Sequence, residues 1–590
     1  MRILGSLVLL VTVALPSSSA APQIQPPGGS EELLVQKHEV GQYGGRLVVA
    51  LRTEPRTLNP VATVDAPSGD VIARMHGDLI HINRLSQLTE PALAMSWTTA
   101  AGGREYTLRL RKGLRFSDGH PFDADDVLFT FQVLLDERVG SPQRDLLIVG
   151  GQPIGVSRVD ALTVRVSLAQ PYAAAERLFD SIAILPRHLL EEPYREGRFT
   201  QAWTLNSAAT AVAGLGPFRL KEYVAGQRLV LERNPFYWKT DRANQRLPYL
   251  DEIVFTFVGT EDAQVIRFQT GESDVLVRAS AENFAVLARE RSTRGYQLQD
   301  LGPGPEYHFL GFNLNDLTGR ALPQVAAKQK WFDDLNFRKA VSEAIDRDAI
   351  VRLVYRGRAM PLWGHVSPGN RRWVNNAIPK PPRSIEGART RLRASGFSWL
   401  QDGTLVDRTG GRVEFSIATS SSNRQRLEMA TLLQHDLKQL GMNVHVVPLE
   451  FRSLLDRVFQ TFDYDAYLLG FGGGDADPNS EMNIWLSRGG SHVWRLGQPA
   501  PHTPWEAEVD RLMERQLIEL EYAERKRLYD RVQQLVVENL PLVFLATPHV
   551  LVGARNNLAN FQPAVLDSST LWNVDQLYFR QRPAREGVTR

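Results

Sequence analysis

The stretch with most chemical potential is Gly472-Gly473-Gly474-Asp475-Ala476-Asp477-Pro478. Three successive glycines leave backbone amides and carbonyls uncovered and let another chain approach closely. A carboxylate follows at once at Asp475, with a second at Asp477. Leu468 and Leu469 lead in as a strand, so the segment reads as the loop at a strand end. Asp475 has two readings: a group that receives a cation, or a cap for the turn before Pro478. Asp477, directly before proline, reads more simply as a cap. A calcium loop built from Asp475, Asp477, Asn479 and Glu481 lacks the full EF-hand spacing. Phe471 and Trp485 could wall a pocket or pack in a core.

Other chemistry is thin. The chain has no phosphate-binding glycine loop, no dinucleotide fingerprint, no Gly-x-Ser-x-Gly elbow and no His-Glu-x-x-His. His76 and His81 are five apart, which does not place both on one helix face. The absence of cysteine excludes disulfides, thiolate metal sites and lipid attachment at an N-terminal cysteine. No cofactor and no metal site is therefore expected, and no catalytic residue. A secreted hydrolase is a remote alternative, because triads assemble in space rather than in sequence.

The elements that would position the loop are legible as alternating strand and helix signals. Tyr106, Leu108 and Leu110 alternate with polar residues, as do Leu162, Val164, Val166 and Leu168. Ala225-Gly226 joins two strand-like runs as a hairpin. Asp123, with Asp126 three residues on, caps a helix whose inward stripe is Val127, Phe131, Leu134 and Leu135. Phe337, Ala340, Val341, Ala344 and Ile345 follow helical spacing. Leu427, Ala430, Leu433, Leu437 and Leu440 do the same, stopped by Gly441 and followed by a strand at Met442. Leu542 to Ala546 reads as a buried strand.

At 590 residues the chain is too long for one core, so several lobes are expected. Basic and acidic side chains number 68 and 66, which leaves a net charge of +2 and no global field for nucleic acid or an anionic membrane. Met1-Arg2 followed by the apolar run Ile3 to Leu15, Pro16 and the small residues Ser17 to Ala21 reads as a signal peptide cleaved near Ala20. Residues 21–40, rich in proline and glycine at their start, read as a flexible leader.

Four segments together resemble the family 5 extracellular solute-binding proteins, the peptide- and nickel-type receptors of ABC importers. They are Leu114 to Val127, Gly214 to Leu220 with Leu231 to Trp238, Leu335 to Asp348, and Tyr464 to Pro478. The resemblance spans nearly the whole mature chain. It implies an α/β periplasmic-binding-protein fold of cluster C type, with two lobes joined by two crossing strands. Lobe I would be 41–305 with an extra subdomain at about 70–200; lobe II would be 306–541; and 542–590 would return to lobe I. The crossings would lie near Phe309 to Leu314 and near Leu542 to Ala546.

In peptide-binding members the place resembling Asp475 receives the ligand's α-amino group. The resemblance thus makes Asp475, Gly472, Gly473, Gly474, Phe471, Asp477, Trp485 and Arg424 the candidate ligand-binding set. The arginine that grips a ligand carboxylate in short-peptide receptors has Ser420 to Ser422 at its place here, with Arg424 and Arg426 just beyond. The implied function is a monomeric, periplasmic receptor that closes on a peptide-like solute and delivers it to permease subunits in the inner membrane. The alternative is the same fold used for an oligosaccharide or a chelated metal.

Overall fold

The computed structural model describes residues 31–63, 65–100, 102–180, 182–472, 476–566 and 570–580. The expected signal peptide lies outside the described residues. No helix among the described residues is long and apolar enough to cross a membrane.

One large sheet runs through the molecule. From one edge its strands are Phe218–Val224, Arg228–Arg233, Glu252–Phe257, Arg46–Leu51, Val275–Leu276, Leu542–Arg555, Tyr307–Phe312, Ala466–Phe471, Glu414–Ser420 and Asn443–Leu449. Tyr296–Pro303 and Ala359–Pro361 also pair with the long strand Leu542–Arg555. Two large hydrophobic cores flank this sheet. The first draws on residues from Leu47 to Val275 and again from Val552 to Phe579. The second runs from Tyr307 to Ala546. The molecule is therefore a two-lobe α/β protein.

The chain passes between lobes twice, and the two passages lie side by side. Pro303 pairs with His549 on the first-lobe side, and His308 pairs with Ala546 on the second-lobe side, both antiparallel. Leu542 to Ala546 are wholly buried in the second core. The return to lobe I thus lies at 547–550, a few residues later than the sequence reading placed it. That strand is apolar from end to end, so its sequence does not mark which core each half enters.

Local signals explain most elements. Asp123 accepts from the Asp125 amide, and Asp126 closes a capping box over helix Ala124–Leu135. That helix packs on a four-stranded antiparallel sheet of 94–100, 105–110, 163–167 and 155–160 within the expected subdomain. Tyr106, Leu108 and Leu110 turn inward together. Phe337, Ala340, Val341 and Ala344 form the buried stripe of Leu335–Ala344. Gly226 supplies the positive φ of 68° that the hairpin turn requires.

Residues 31–40 are not a loose leader. Leu34 and Val35 pair in parallel with Lys239 and Thr240. Glu31 meets the buried Arg246 guanidinium at 2.7 Å, and Glu32 accepts from the Lys112 amide at 3.0 Å. The charged and apolar residues after Ser30 anchor the strand that the proline-rich start does not suggest.

Three buried histidines, His76, His308 and His365, carry ring nitrogens with no hydrogen-bond partner. Burial holds their pKa values low, at about 4, about 4 and about 3. The unfolded chain takes up these protons near pH 6.5, well before the folded protein does. Their stabilising contribution is complete above that pH and is lost as pH falls. Each histidine costs about 1.4 kcal/mol per pH unit until its folded pKa is reached. Urea unfolding followed from about pH 7.5 to 4.5 should show a steady loss of stability. His365→Phe should flatten that slope by about one proton, and the comparison with the parent cancels every other titrating group. An identical slope in the variant would contradict this assignment.

Candidate functional site

The cleft between the lobes holds a cavity of about 690 Å³. Lobe I lines it with Asp70, Asp78, His81, Arg84 and Arg278. The crossings add Gly304 to Glu306 and Pro548 to Val550, and lobe II adds Gly472. A second cavity of about 820 Å³ shares Arg84, Gln143, Ile182 and Leu566 with the first and extends towards Tyr172, Asn479, Met482 and Leu486. Together they form one long interlobe space. A concave space between lobes, walled by apolar side chains with convergent charges, is what ligand capture requires.

The lobes touch around this space. The Ala173 amide donates to Leu517 O at 2.7 Å, Gln87 Nε2 to Gly369 O at 3.1 Å, and Arg371 Nη2 to Leu85 O at 2.9 Å. On the rim, Glu282 of lobe I meets both Arg356 and Arg424 of lobe II at 3.2 and 3.1 Å. The conformation is closed.

Two charged groups face the cleft. On lobe I, His81 Nδ1 lies 2.9 Å from Asp78 and 3.5 Å from Asp180, while Arg84 pairs with Asp180 at 3.0 Å. Burial works against the His81 cation, but the two carboxylates outweigh it and raise its pKa. Asp78, His81 and Asp180 bring ligand atoms within 4.8 Å of one another and could in principle hold a divalent ion. Arg84 and the His81 proton already satisfy those carboxylates, so the cluster reads as a closed ion network. At the crossing, Arg278 pairs with Glu306, and His308 Nε2 lies 3.6 Å from the same carboxylate. Burial would raise the Glu306 pKa, but these neighbours, Arg278 foremost, hold it below the usual value.

The residues expected from sequence fall in different places. Gly473, Gly474 and Asp475 lie outside the described residues. Gly472 is exposed on the cleft wall, with open space where a side chain would stand. Phe471 is half-buried, with its ring 5.1 Å from Phe309 and 6.0 Å from Tyr307. Asp477 is buried in a two-pronged pair with Arg525 and also caps the turn from Pro478. Trp485 is only 1% exposed; it packs on His365 and Trp494 and donates to Glu481 at 2.8 Å. Arg424 points out along the rim to Glu428 and Glu282. Asp477, Trp485 and Arg424 are thus engaged in core or rim contacts rather than gathered on the cavity wall.

Sequence reasoning set His81 aside with His76 and did not single out Asp78, Arg84, Asp180, Arg278, Glu306 or His308. Asp78, His81 and Arg84 recur at three-residue steps and Glu306 and His308 lie two apart, but only the fold brings Asp180 to the first group and Arg278 to the second. One signal was present. Arg424 and Arg426 open the helix Arg424–Lys438, where the macrodipole disfavours cations. A basic residue there invites the question of what else needs it.

A model of the bacterial extracellular solute-binding proteins, family 5 middle region, matches residues 89–492. This chain belongs to that family. Members of family 5 are solute receptors rather than enzymes, so the cleft is a binding site without a catalytic centre. The chain is 28% identical over 570 residues to a probable ABC transporter-binding protein of Deinococcus radiodurans, covering 92% of this chain and 93% of that one. The oligopeptide-binding protein AppA from Bacillus subtilis, solved with a nonapeptide, superposes with a TM-score of 0.69 at 23% identity, over 92% of this chain and 100% of AppA. NikA from Brucella suis, solved with Fe(III)-EDTA, gives a TM-score of 0.75 at 20% identity, over 91% of this chain and 100% of NikA. The likeness shows that these structures share this chain's fold.

Proposed function

We propose that this receptor captures a peptide-like solute in its interlobe cleft by hinge closure and passes it unchanged to the permease subunits of an ABC importer. It would work as a monomer in the periplasm, after cleavage of the signal peptide near Ala20. The observation that carries this reading is the cleft itself. Its walls come from both lobes and both crossings, and the exposed backbone at Gly472 borders it beside the strand end at Phe471. An extended peptide can pair with such backbone and gain affinity without side-chain selection. The bound nonapeptide of AppA, in the same fold, supports a cleft of this kind holding a peptide. Two linked cavities suit an elongated guest better than a compact one.

Asp475 supplies the cation receptor in this reading. A carboxylate in a closed cleft makes a short charge-assisted bond to an ammonium group. Native mass spectrometry of gently purified protein should reveal retained peptides. Calorimetry with those peptides should show Asp475→Asn binding at least about 30-fold more weakly, the equivalent of about 2 kcal/mol. The melting temperature of the empty protein should stay the same. Equal affinity in the variant would remove the amine-binding role, and retention of a sugar or a metal chelate instead would remove the peptide.

A further inference from the structure

Lobe II carries a separate cavity of about 310 Å³. Trp363, Ile378, Val537 and Leu540 supply its apolar walls, and the exposed Pro379 and Pro381 stand at its mouth. No residue that lines it also lines either cleft cavity. The proline-rich mouth is held at both ends. The Asn375 amide donates to Gln533 Oε1 at 2.9 Å, and Arg383 Nε donates to Ala344 O at 2.8 Å. A preformed opening lowers the ordering cost of binding.

Gly364 keeps the space clear. Beyond its chain neighbours, a Cβ at this position would meet only Val537 at 3.5 Å and Ile378 at 4.0 Å, both ordinary contacts. Its φ lies outside the left-handed region. Neither crowding nor backbone strain therefore calls for glycine here. What the missing side chain leaves is room beside two cavity walls.

The charges around the cavity do not balance. Glu343 is taken by Arg391 at 2.7 Å, and Glu538 by Arg531 at 3.2 Å. Lys339, half-buried in the wall, has no ion-pair partner among the described residues. Burial and the nearby Arg391 hold its pKa below the usual value, as befits an amine without a counter-ion. Behind the wall, two buried arginines add positive charge, and neither pairs with a carboxylate among the described residues. Arg347 donates to Ser342 O and Oγ at 2.7 and 2.8 Å and lies 5.5 Å from the Trp363 ring centre. Arg338 donates to Leu540 O at 3.0 Å. Ser342, Trp363 and Leu540 all line the cavity, so both guanidinium groups stand close behind it.

We propose that this cavity is a second binding site, outside the cleft, for a small apolar monocarboxylate. The apolar body lies among Trp363, Ile378 and Val537, and the carboxylate meets the Lys339 ammonium. One ammonium matches one negative charge, and Glu343 and Glu538 at the mouth repel a dianion. The volume sits at the small end of ligand cavities, which suits a single chain or ring rather than a peptide. The site stands apart from the cleft and depends on no reading of the solute held there.

The test uses the full-length mature protein at constant ionic strength. The probes are octanoate, its uncharged counterpart octanamide, and acetate as the head group alone. Calorimetry should show octanoate binding about tenfold more tightly than octanamide, the range of a charge-assisted bond, and acetate giving no signal. Lys339→Gln should bring octanoate down to the level of octanamide, and Lys339→Arg should keep the preference. Gly364→Ala should weaken both probes several-fold, and Gly364→Val should abolish both. Lys339→Gln and Gly364→Ala should melt no lower than the parent, because one loses an unpaired amine and the other fills open space. Octanoate bound equally by the parent, Lys339→Gln and Gly364→Ala would overturn the site, as would no binding to the parent. Octanoate and octanamide bound equally by the parent would overturn the assignment to carboxylates.

Discussion

Arg525→Met should cost the fold about 3–5 kcal/mol, because it leaves Asp477 as an uncompensated buried charge. The two side chains face each other squarely, with Nη1 to Oδ2 and Nη2 to Oδ1 both at 2.9 Å. Arg525 is 5% exposed and Asp477 4%. Two further donors are satisfied: Nε reaches Gln516 O at 3.0 Å and Nη2 reaches Gln516 Oε1 at 2.8 Å. Trp373 covers the guanidinium, 4.9 Å from its ring centre. A methionine fills much of that volume, so the penalty is electrostatic rather than a cavity. Denaturant unfolding should show it at once, and the paired change Asp477→Leu with Arg525→Met should recover much of it, since two apolar groups need no counter-charge. A loss below about 1 kcal/mol in the single variant would mean that water or another group reaches Asp477. The pair also anchors Asp477, which caps the turn from Pro478.

Gly369→Ala should shift the molecule from closed to open. A methyl group at this position would lie 2.1 Å from Pro303 O and 3.2 Å from Gly304 O, at the crossing. Both atoms are backbone, and Gly304 O is pinned by the hydroxyls of Ser367 and Thr547. The close contact is with the Pro303 carbonyl, backbone rather than a flexible side chain, and the next carbonyl along is held by two hydroxyls. Gln87 of lobe I donates to the Gly369 carbonyl, so the strain falls on a contact made by both lobes. Overpacking of this kind costs about 1–3 kcal/mol. Charged against the closed state alone, that lowers solute affinity by about 5- to 150-fold. Small-angle scattering at a subsaturating solute concentration should give the variant a larger radius of gyration than the parent, and calorimetry should give weaker binding with unchanged stoichiometry. An envelope identical to the parent would show that the loop relaxes elsewhere.

Periodicity made the scaffold readable. The Phe337 stripe, the Asp123 capping box and the alternation of Tyr106, Leu108 and Leu110 each encode a local preference that tertiary packing reinforces. The passage between lobes was readable as apolar sequence but not as topology. Leu542 to Arg555 is one strand with two destinations, and nothing local distinguishes a residue buried in one core from a residue buried in the other. The site was harder still. Asp477 looks identical in sequence whether it meets a ligand or Arg525, 48 residues away. Trp485 looks like a pocket wall until Trp494 and His365 are seen to cover it. Arg278 and Glu306 form a pair across the edge of the cleft, with no spacing rule to join them. Charges that meet only in three dimensions leave no trace along the chain.

The unbroken strand from Leu542 to Arg555 gives the two lobes a common spine. Each lobe borrows half of it as a central member of its own sheet. Severing the gene there would not yield two smaller proteins, because each fragment would lack a plank from its middle. Evolution can therefore reshape the jaws by changing loops and surfaces, but it cannot trade one jaw for another as a detachable cassette.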